Sequence, residues 1–155
     1  EASVIEEVMA ITGCLPLAGR QFAALSGGEQ QRVQLARALA QLWCDGAPRG
    51  WLFLDEPTSA LDLYHQQHLL RLLKSLTRQG HLHACVVLHD LNFAVNYGDS
   101  LVFLRQGKVE GVLHEGDACT PELIKAVFDV DVHMSINPLT GKPFFMPFRQ
   151  SIQKP

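Results

Sequence analysis

The stretch Leu25-Ser26-Gly27-Gly28-Glu29-Gln30-Gln31-Arg32 decides how the rest of the chain is interpreted. A serine followed by two glycines gives a backbone that is free to turn several N–H groups toward one point. From Glu29 onward a helix is predicted, because apolar residues recur at helical spacing, at Val33, Leu35, Ala36, Leu39, Ala40 and Leu42. Such a turn combines unpaired backbone donors with the positive end of the helix dipole, which favours an anion and phosphate best. Taken alone, the same residues are also ordinary N-cap and turn residues.

Two apolar segments farther along the chain predict neighbouring strands of an α/β sheet. Trp51–Leu54 is an unbroken apolar run, typical of a parallel strand covered on both faces, and it ends in Asp55 and Glu56. Ala84–Leu88 predicts a second strand, followed by His89. In open α/β sheets, ligands bind beyond the carboxyl ends of the strands, so these side chains mark a candidate site. An isolated Asp-Glu pair could equally begin a loop or cap a helix, and a lone histidine after a strand is more often structural.

The order and spacing of four motifs resemble the ATP-binding-cassette (ABC) ATPases. The octet resembles their signature motif, Trp51–Pro57 their Walker B motif, Ser59-Ala60-Leu61-Asp62 their D-loop, and His89 their switch histidine. The resemblance implies a partial P-loop NTPase (RecA-like) sheet with helices on both faces. It places the end of the helical subdomain in residues 1–42 and the C-terminal part of the nucleotide-binding core in residues 43–155.

The Walker A P-loop of that family has no counterpart in the sequence. The pair Gly141-Lys142 invites comparison with it, but the first glycine of the motif is absent and Pro143 stands where a hydroxyl is required. We therefore expect the chain to be the C-terminal half of a cassette subunit and to be inactive by itself. The missing P-loop strand would leave a gap between the switch-histidine strand and the strand at Leu101–Leu104, so we expect association through unpaired edges.

The resemblance also implies residue roles. ATP would lie between two subunits arranged head to tail, bound in trans by the signature residues Ser26, Gly27, Gly28 and Glu29. Asp55 would hold Mg²⁺, which needs only one or two carboxylates beside the nucleotide phosphates. Glu56 would accept a proton from the attacking water or orient it, and His89 would contact the γ-phosphate. The D-loop, Ser59–Asp62, would link the two sites.

The implied partners are a second copy of the subunit, a transmembrane permease and, indirectly, a periplasmic substrate-binding protein. His89-Asp90-Leu91-Asn92 and the tail Asn137–Pro143 are similar to the importer branch that serves iron-siderophores, vitamin B12 and haem, and the loop Cys44–Gly50 favours haem. The expected location is the cytoplasmic face of the bacterial inner membrane. Alternatives are a cassette ATPase working on DNA or the ribosome, and an inert fragment that serves only as an interaction module.

Composition limits other classes of function. With 13 basic and 16 acidic side chains the net charge is −3, so no basic face for nucleic acid or anionic lipid is indicated. No apolar run approaches the roughly 20 residues that span a bilayer, so a membrane role is expected to come through a partner. The four cysteines are far apart and form no C-x-x-C pair, which suggests neither zinc nor disulfides.

Overall fold

The computed structural model describes residues 2–148, which form two compact units. The first extends to Leu88 and the second begins at His89. Both mix helices with strands, and each is described by itself. Within the described residues, no helix combines the length and apolar character needed to cross a membrane.

Three helices form most of the first unit: α1 (Ala2–Ile11), α2 (Gly27–Leu42) and α3 (Leu63–Thr77). Short 3₁₀ turns at Leu15–Leu17 and Phe22–Ala24 connect α1 to α2. Gly13 follows α1 with a φ of 69°, a conformation that suits glycine at a helix end. The apolar side of each helix faces the unit's core, which includes Leu35 and Leu39 of α2 and Leu69, Leu73 and Leu76 of α3.

The loop predicted between α2 and the Walker B strand contains a small hairpin. Strands β1 (Trp43–Cys44) and β2 (Ala47–Pro48) pair antiparallel around Asp45 and Gly46, whose φ angles are 51° and 81°. Two successive left-handed residues make the tight turn that joins such strands, and Asp-Gly is a favoured pair for it. The prediction of a loop over Cys44–Gly50 is therefore wrong for the residues that form these two strands.

A parallel pair of strands carries the predicted Walker B segment. Strand β3 (Gly50–Asp55) pairs with β4 (Leu82–Val87), in register from Gly50 opposite Leu82 to Asp55 opposite Val87. The Glu56 amide continues this ladder by donating to the Val87 carbonyl oxygen at 3.1 Å. The backbone beyond Asp55 is thus fixed directly at the carboxyl end of the pair.

The described residues cover one face of this pair, so the prediction that both faces of the Walker B strand are covered is wrong for them. Alternate side chains point to opposite faces of a strand. Leu52 and Leu82 are buried on the face against which α2 and α3 pack. On the other face Trp51 is 62% exposed and Phe53 is 71% exposed. The Trp51 ring lies against His83, with ring centroids 4.9 Å apart.

The second unit consists of two antiparallel hairpins and two helices. Its elements are α4 (Leu91–Tyr97), β5 (Leu101–Arg105), β6 (Lys108–Leu113), α5 (Pro121–Phe128), β7 (Val132–Ile136) and β8 (Pro143–Pro147). Strand β5 pairs with β6, and β7 pairs with β8. One hydrophobic cluster joins these elements and includes Val95, Phe103, Ile124, Val127, Val132 and Phe145.

The strands of the described residues lie in four separate two-stranded sheets. Strand β4 is hydrogen-bonded to β3, and β5 is hydrogen-bonded to β6. The switch-histidine strand and the strand at Leu101–Arg105 are therefore not direct neighbours in one sheet.

Candidate functional site

The signature turn is a helix N-terminus held by a reciprocal capping box. The Ser26 hydroxyl oxygen accepts from the Glu29 amide at 3.3 Å, and the Glu29 carboxylate accepts from the Ser26 amide at 2.8 Å. Gly27 and Gly28 are the first two residues of α2, so the helix begins two residues earlier than predicted. Ser26 and Gly27 are exposed and Gly28 is half-buried. First-turn amides have no acceptor within their own helix, so this end of α2 presents N–H donors at the surface.

The surroundings of Glu29 favour the charged form of its carboxyl group. The hydrogen bond from the Ser26 backbone amide is the main cause that lowers the pKa of the Glu29 carboxyl, and Arg20 and Arg32 act in the same direction. The Arg20 guanidinium lies 3.7 Å from the carboxylate. The Glu29 carboxylate thus stabilises the turn. This supports a structural role for Glu29 in addition to the predicted role in ATP binding.

Gly28 lies where the signature turn and the D-loop approach each other closely. A Cβ at Gly28 would lie 3.0 Å from the Ala60 carbonyl oxygen and 3.5 Å from the Leu61 side chain. A Cβ at Gly27 would meet only the Ala60 methyl at 3.9 Å, an ordinary contact. Neither glycine has a positive φ, so these glycines serve close packing rather than an unusual backbone conformation.

Gln31 joins the signature helix to the Walker B and D-loop segments, a role that sequence reasoning missed. Its side-chain amide donates to the Glu56 carbonyl oxygen at 3.0 Å, and its carbonyl oxygen accepts from the Ala60 amide at 3.3 Å. The two bonds use both ends of one primary amide. Gln31 lies within the octet, but its partners are 25 and 29 residues away, so no local sequence pattern signals these bonds.

Asp55 and Glu56 occupy the carboxyl end of β3, as predicted. Asp55 is exposed and Glu56 is half-buried. Glu56 has a φ of 46°, a left-handed conformation that is uncommon and costly for a residue with a side chain. Its carbonyl oxygen accepts from the Ser59 amide at 3.2 Å and the Ser59 hydroxyl at 3.0 Å, besides Gln31. These bonds hold the strained turn in place.

The D-loop leads directly into α3. Leu61 is buried, while Ser59, Ala60 and Asp62 are exposed. Asp62 is the N-cap of α3, and its carboxylate accepts from the His65 amide at 2.9 Å. That backbone hydrogen bond is the main cause that lowers the pKa of the Asp62 carboxyl. The D-loop is therefore fixed at Leu61 and Asp62 and is exposed at Ser59 and Ala60.

His89 is the first residue of the second unit and is exposed. It immediately precedes Asp90, the N-cap of α4, whose carboxylate accepts from the Phe93 amide at 2.9 Å. Within the first unit, the structure brings together the signature turn, Glu56 and the D-loop through Gly28 and Gln31. The roles of these residues toward a nucleotide, and of Asp55 and His89, stay predictions.

Curated relatives match this chain closely in sequence. A protein named hemin import ATP-binding protein HmuV from Enterobacter cloacae is 72% identical over 109 residues, 70% of this chain and 42% of the relative. A protein of the same name from Escherichia coli O157:H7 is 44% identical over 140 residues, 90% of this chain and 55% of the relative. The chain thus spans about half the length of these relatives. No protein-family model matches it.

Solved structures of transporter ATPases match the fold. A structure described as a metal-chelate type ABC transporter in an inward-facing conformation aligns with a TM-score of 0.76 and 28% identity, covering 94% of this chain and 57% of that one. The dimeric bacterial ABC transporter cassette MJ0796 aligns with a TM-score of 0.63 and 33% identity, covering 72% and 46%. These matches confirm the predicted partial P-loop NTPase fold. Together with the sequence relatives, they establish that the chain belongs to the ATP-binding-cassette ATPases.

Proposed function

We propose that this chain is part of an ATP-hydrolysing subunit that powers an ABC importer. The signature turn would bind ATP that is held by the P-loop of another subunit. The residues at the end of β3 and His89 would act on the terminal phosphate of ATP. The observation that carries the proposal is the junction at Gly28 and Gln31, which fixes an exposed helix N-terminus to the turn that bears Glu56.

The signature turn fits a phosphate of ATP bound by a second copy of the subunit. Its surface consists of Ser26, Gly27 and the first-turn amides of α2, without a Cβ at Gly27 to keep an anion away. Backbone donors and the helix dipole both favour negative charge there. The capping box fixes the orientation of these N–H donors before a nucleotide binds. The turn therefore needs little rearrangement when the two subunits close around ATP.

Asp55 and Glu56 fit different parts of the hydrolysis step. Asp55 is an exposed carboxylate at a strand end, and its oxygens are the ligand type that Mg²⁺ prefers. When bound, Mg²⁺ would neutralise charge on the phosphate oxygens. Glu56 is held by its backbone in a strained turn and would orient the attacking water or accept its proton. His89 would contact the γ-phosphate and help to fix that water.

Haem is the proposed cargo of the complete importer, with related iron chelates or corrinoids as alternatives within the same branch. Support comes from the name hemin import ATP-binding protein, which both curated relatives carry. The proposed assembly has two copies of the subunit head to tail on the cytoplasmic side of a membrane permease, served by a periplasmic substrate-binding protein. None of the described residues is assigned to cargo selection, which depends on those partners.

Glu56→Gln in the full-length subunit tests the proposal. The amide keeps the shape of the side chain but cannot take a proton, so ATP turnover should fall by roughly 10²-fold or more while ATP binding survives. Size-exclusion chromatography should then show a dimer that persists with ATP and Mg²⁺. Glu110→Gln is a matched control, because Glu110 is an exposed carboxylate on β6. Equal turnover in the wild type and Glu56→Gln would refute the proposed role of Glu56.

A further inference from the structure

Helix α4 follows His89 and is too short to hold its position by itself. It has seven residues, Leu91–Tyr97, and buries only Val95 fully. Isolated helices of this length are not stable in water, so contacts with other elements must fix it. Its N-cap, Asp90, is the residue next to His89. Any change in the position of α4 is therefore passed directly to His89.

Asn92 binds α4 to strand β8 by two hydrogen bonds. Its side-chain amide donates to the Phe145 carbonyl oxygen at 3.0 Å, and its side-chain oxygen accepts from the Phe145 amide at 2.8 Å. The Asn92 side chain thus pairs with Phe145 as a neighbouring strand would. Because both its donor and its acceptor are used, a side chain that lacks either group cannot form the pair.

Lys142 binds the other end of the same helix. Its ammonium group donates to the Asn96 carbonyl oxygen at 2.5 Å and to the Val95 carbonyl oxygen at 3.5 Å. A cation near a helix C-terminus is stabilised by unpaired carbonyl groups and by the helix dipole. Lys142 is half-buried, and its own carbonyl oxygen accepts from the Asn137 amide at 2.9 Å in the turn of the hairpin.

The contacts of Asn92 and Lys142 join two segments of the chain, and these two residues are 50 positions apart in the sequence. Asn92 belongs to the segment that follows His89, and Lys142 belongs to the Asn137–Pro143 tail segment. Between them, Val95 of α4 and Phe145 of β8 lie in the same hydrophobic cluster. Helix α4 and the β7–β8 hairpin are therefore held at the helix start, middle and end.

We propose that the β7–β8 hairpin is a clamp that positions His89, with Asn92 and Lys142 as its positioning residues. The proposal rests on the proposed ATPase function, because it assigns the clamp to the step in which His89 contacts the γ-phosphate. Neither clamp residue touches nucleotide in this account. The hairpin acts by keeping α4, and with it the backbone of His89, in one place before ATP is hydrolysed.

The test uses the full-length subunit carrying Asn92→Ala or Lys142→Met. Misplacing a group by about 1 Å can cost orders of magnitude in rate, so each variant should lose about ten-fold or more in kcat, with KM for ATP within about two-fold of wild type. Lys142→Arg keeps a cation at the end of α4 and should restore most of the turnover. Lys108→Met is the matched control and should keep wild-type turnover, because Lys108 is an exposed lysine on β6, outside α4 and the β7–β8 hairpin.

Action through His89 predicts non-additivity. In a His89→Ala background, adding Lys142→Met should lower the residual turnover by less than two-fold, because the group that the clamp positions is already gone. If Asn92→Ala does not yield folded protein, Lys142→Met and its Arg rescue carry the test.

Different results would contradict the proposed function and the proposed clamp. No ATP turnover by the wild type, or full turnover by His89→Ala, would overturn the proposed function. Wild-type kcat in both Asn92→Ala and Lys142→Met, with turnover lost in His89→Ala, would overturn the clamp alone. A loss that appears in KM instead of kcat, or that is equally large without His89, would also overturn it.

Discussion

Gly27 and Gly28 are adjacent, but a side chain has more space at Gly27 than at Gly28. The same substitution at the two positions can therefore be compared directly. Gly28→Ala would place a Cβ 3.0 Å from the Ala60 backbone oxygen, whereas Gly27→Ala makes only a 3.9 Å contact. We expect Gly28→Ala to destabilise the full-length subunit by about 1–3 kcal/mol, because backbone cannot move aside as a flexible side chain can. Gly27→Ala should leave stability nearly unchanged. Thermal unfolding of both variants measures the difference, and equal melting temperatures would show that the Gly28–Ala60 contact is not tight.

Among the residues of the candidate site, sequence patterns predicted several local positions but not the contacts that join the segments. The positions of Ser26, Asp55 and Asp62 at helix and strand ends follow from local patterns. The bonds of Gln31 to Glu56 and Ala60 are long-range, spanning 25 and 29 residues, and no local pattern encodes them. The left-handed φ of Glu56 was also unpredictable, because glutamate does not favour that conformation.

At the level of elements, the starts of α3 and α5 carry their own signals in the sequence. Asp62 caps α3, and Thr120 with Pro121 begins α5. The β1–β2 hairpin was missed because strands of two residues contain no periodicity to detect. The exposed face of β3 was missed for another reason: an apolar run shows that a strand can be buried, not which parts of the chain cover it.

The capping box at the start of α2 predicts a dependence on pH. The Ser26 amide lowers the pKa of the Glu29 carboxyl below its ordinary value of 4.5. For a lowered pKa the stabilisation is present above that ordinary value and is lost as the pH falls through the lower value of the folded state. We therefore expect the full-length wild type to lose stability more steeply below about pH 4.5 than Glu29→Gln.

Unfolding midpoints measured from pH 7 to pH 3 test this expectation. Glu29→Gln keeps an oxygen that can accept from Ser26 but has no charge to titrate. Parallel curves for the wild type and Glu29→Gln would mean that the carboxylate contributes nothing through its charge. Glu122→Gln serves as a control, since Glu122 is an exposed carboxylate in the first turn of α5.

At the scale of the whole molecule, the exposed face of the β3–β4 pair predicts self-association of the 155-residue chain. Trp51 and Phe53 are 62% and 71% exposed, and Val87 beside them is 49% exposed. Exposed apolar strands favour pairing with other copies. Sedimentation velocity should show species larger than a monomer at micromolar concentration, and Phe53→Lys should shift the distribution toward monomer. A monomer that persists at high concentration would contradict the expectation.

The central claim is that signature residues of one subunit act on ATP held by another. Gly27→Asp suits a test, because Gly27 has room for a side chain and an acid is favourable at a helix N-terminus, yet its charge would repel phosphate. Full-length Gly27→Asp and Glu56→Gln subunits should each be nearly inactive alone. In a mixed dimer, one of the two composite sites contains neither substitution.

The decisive measurement is ATP turnover by an equimolar mixture of full-length Gly27→Asp and Glu56→Gln subunits. The account predicts that mixing restores turnover well above the sum of the separate variants, up to about a quarter of the wild-type rate if subunits exchange at random. Turnover no higher than that sum, with mixed dimers confirmed by differently tagged subunits, would contradict the shared site.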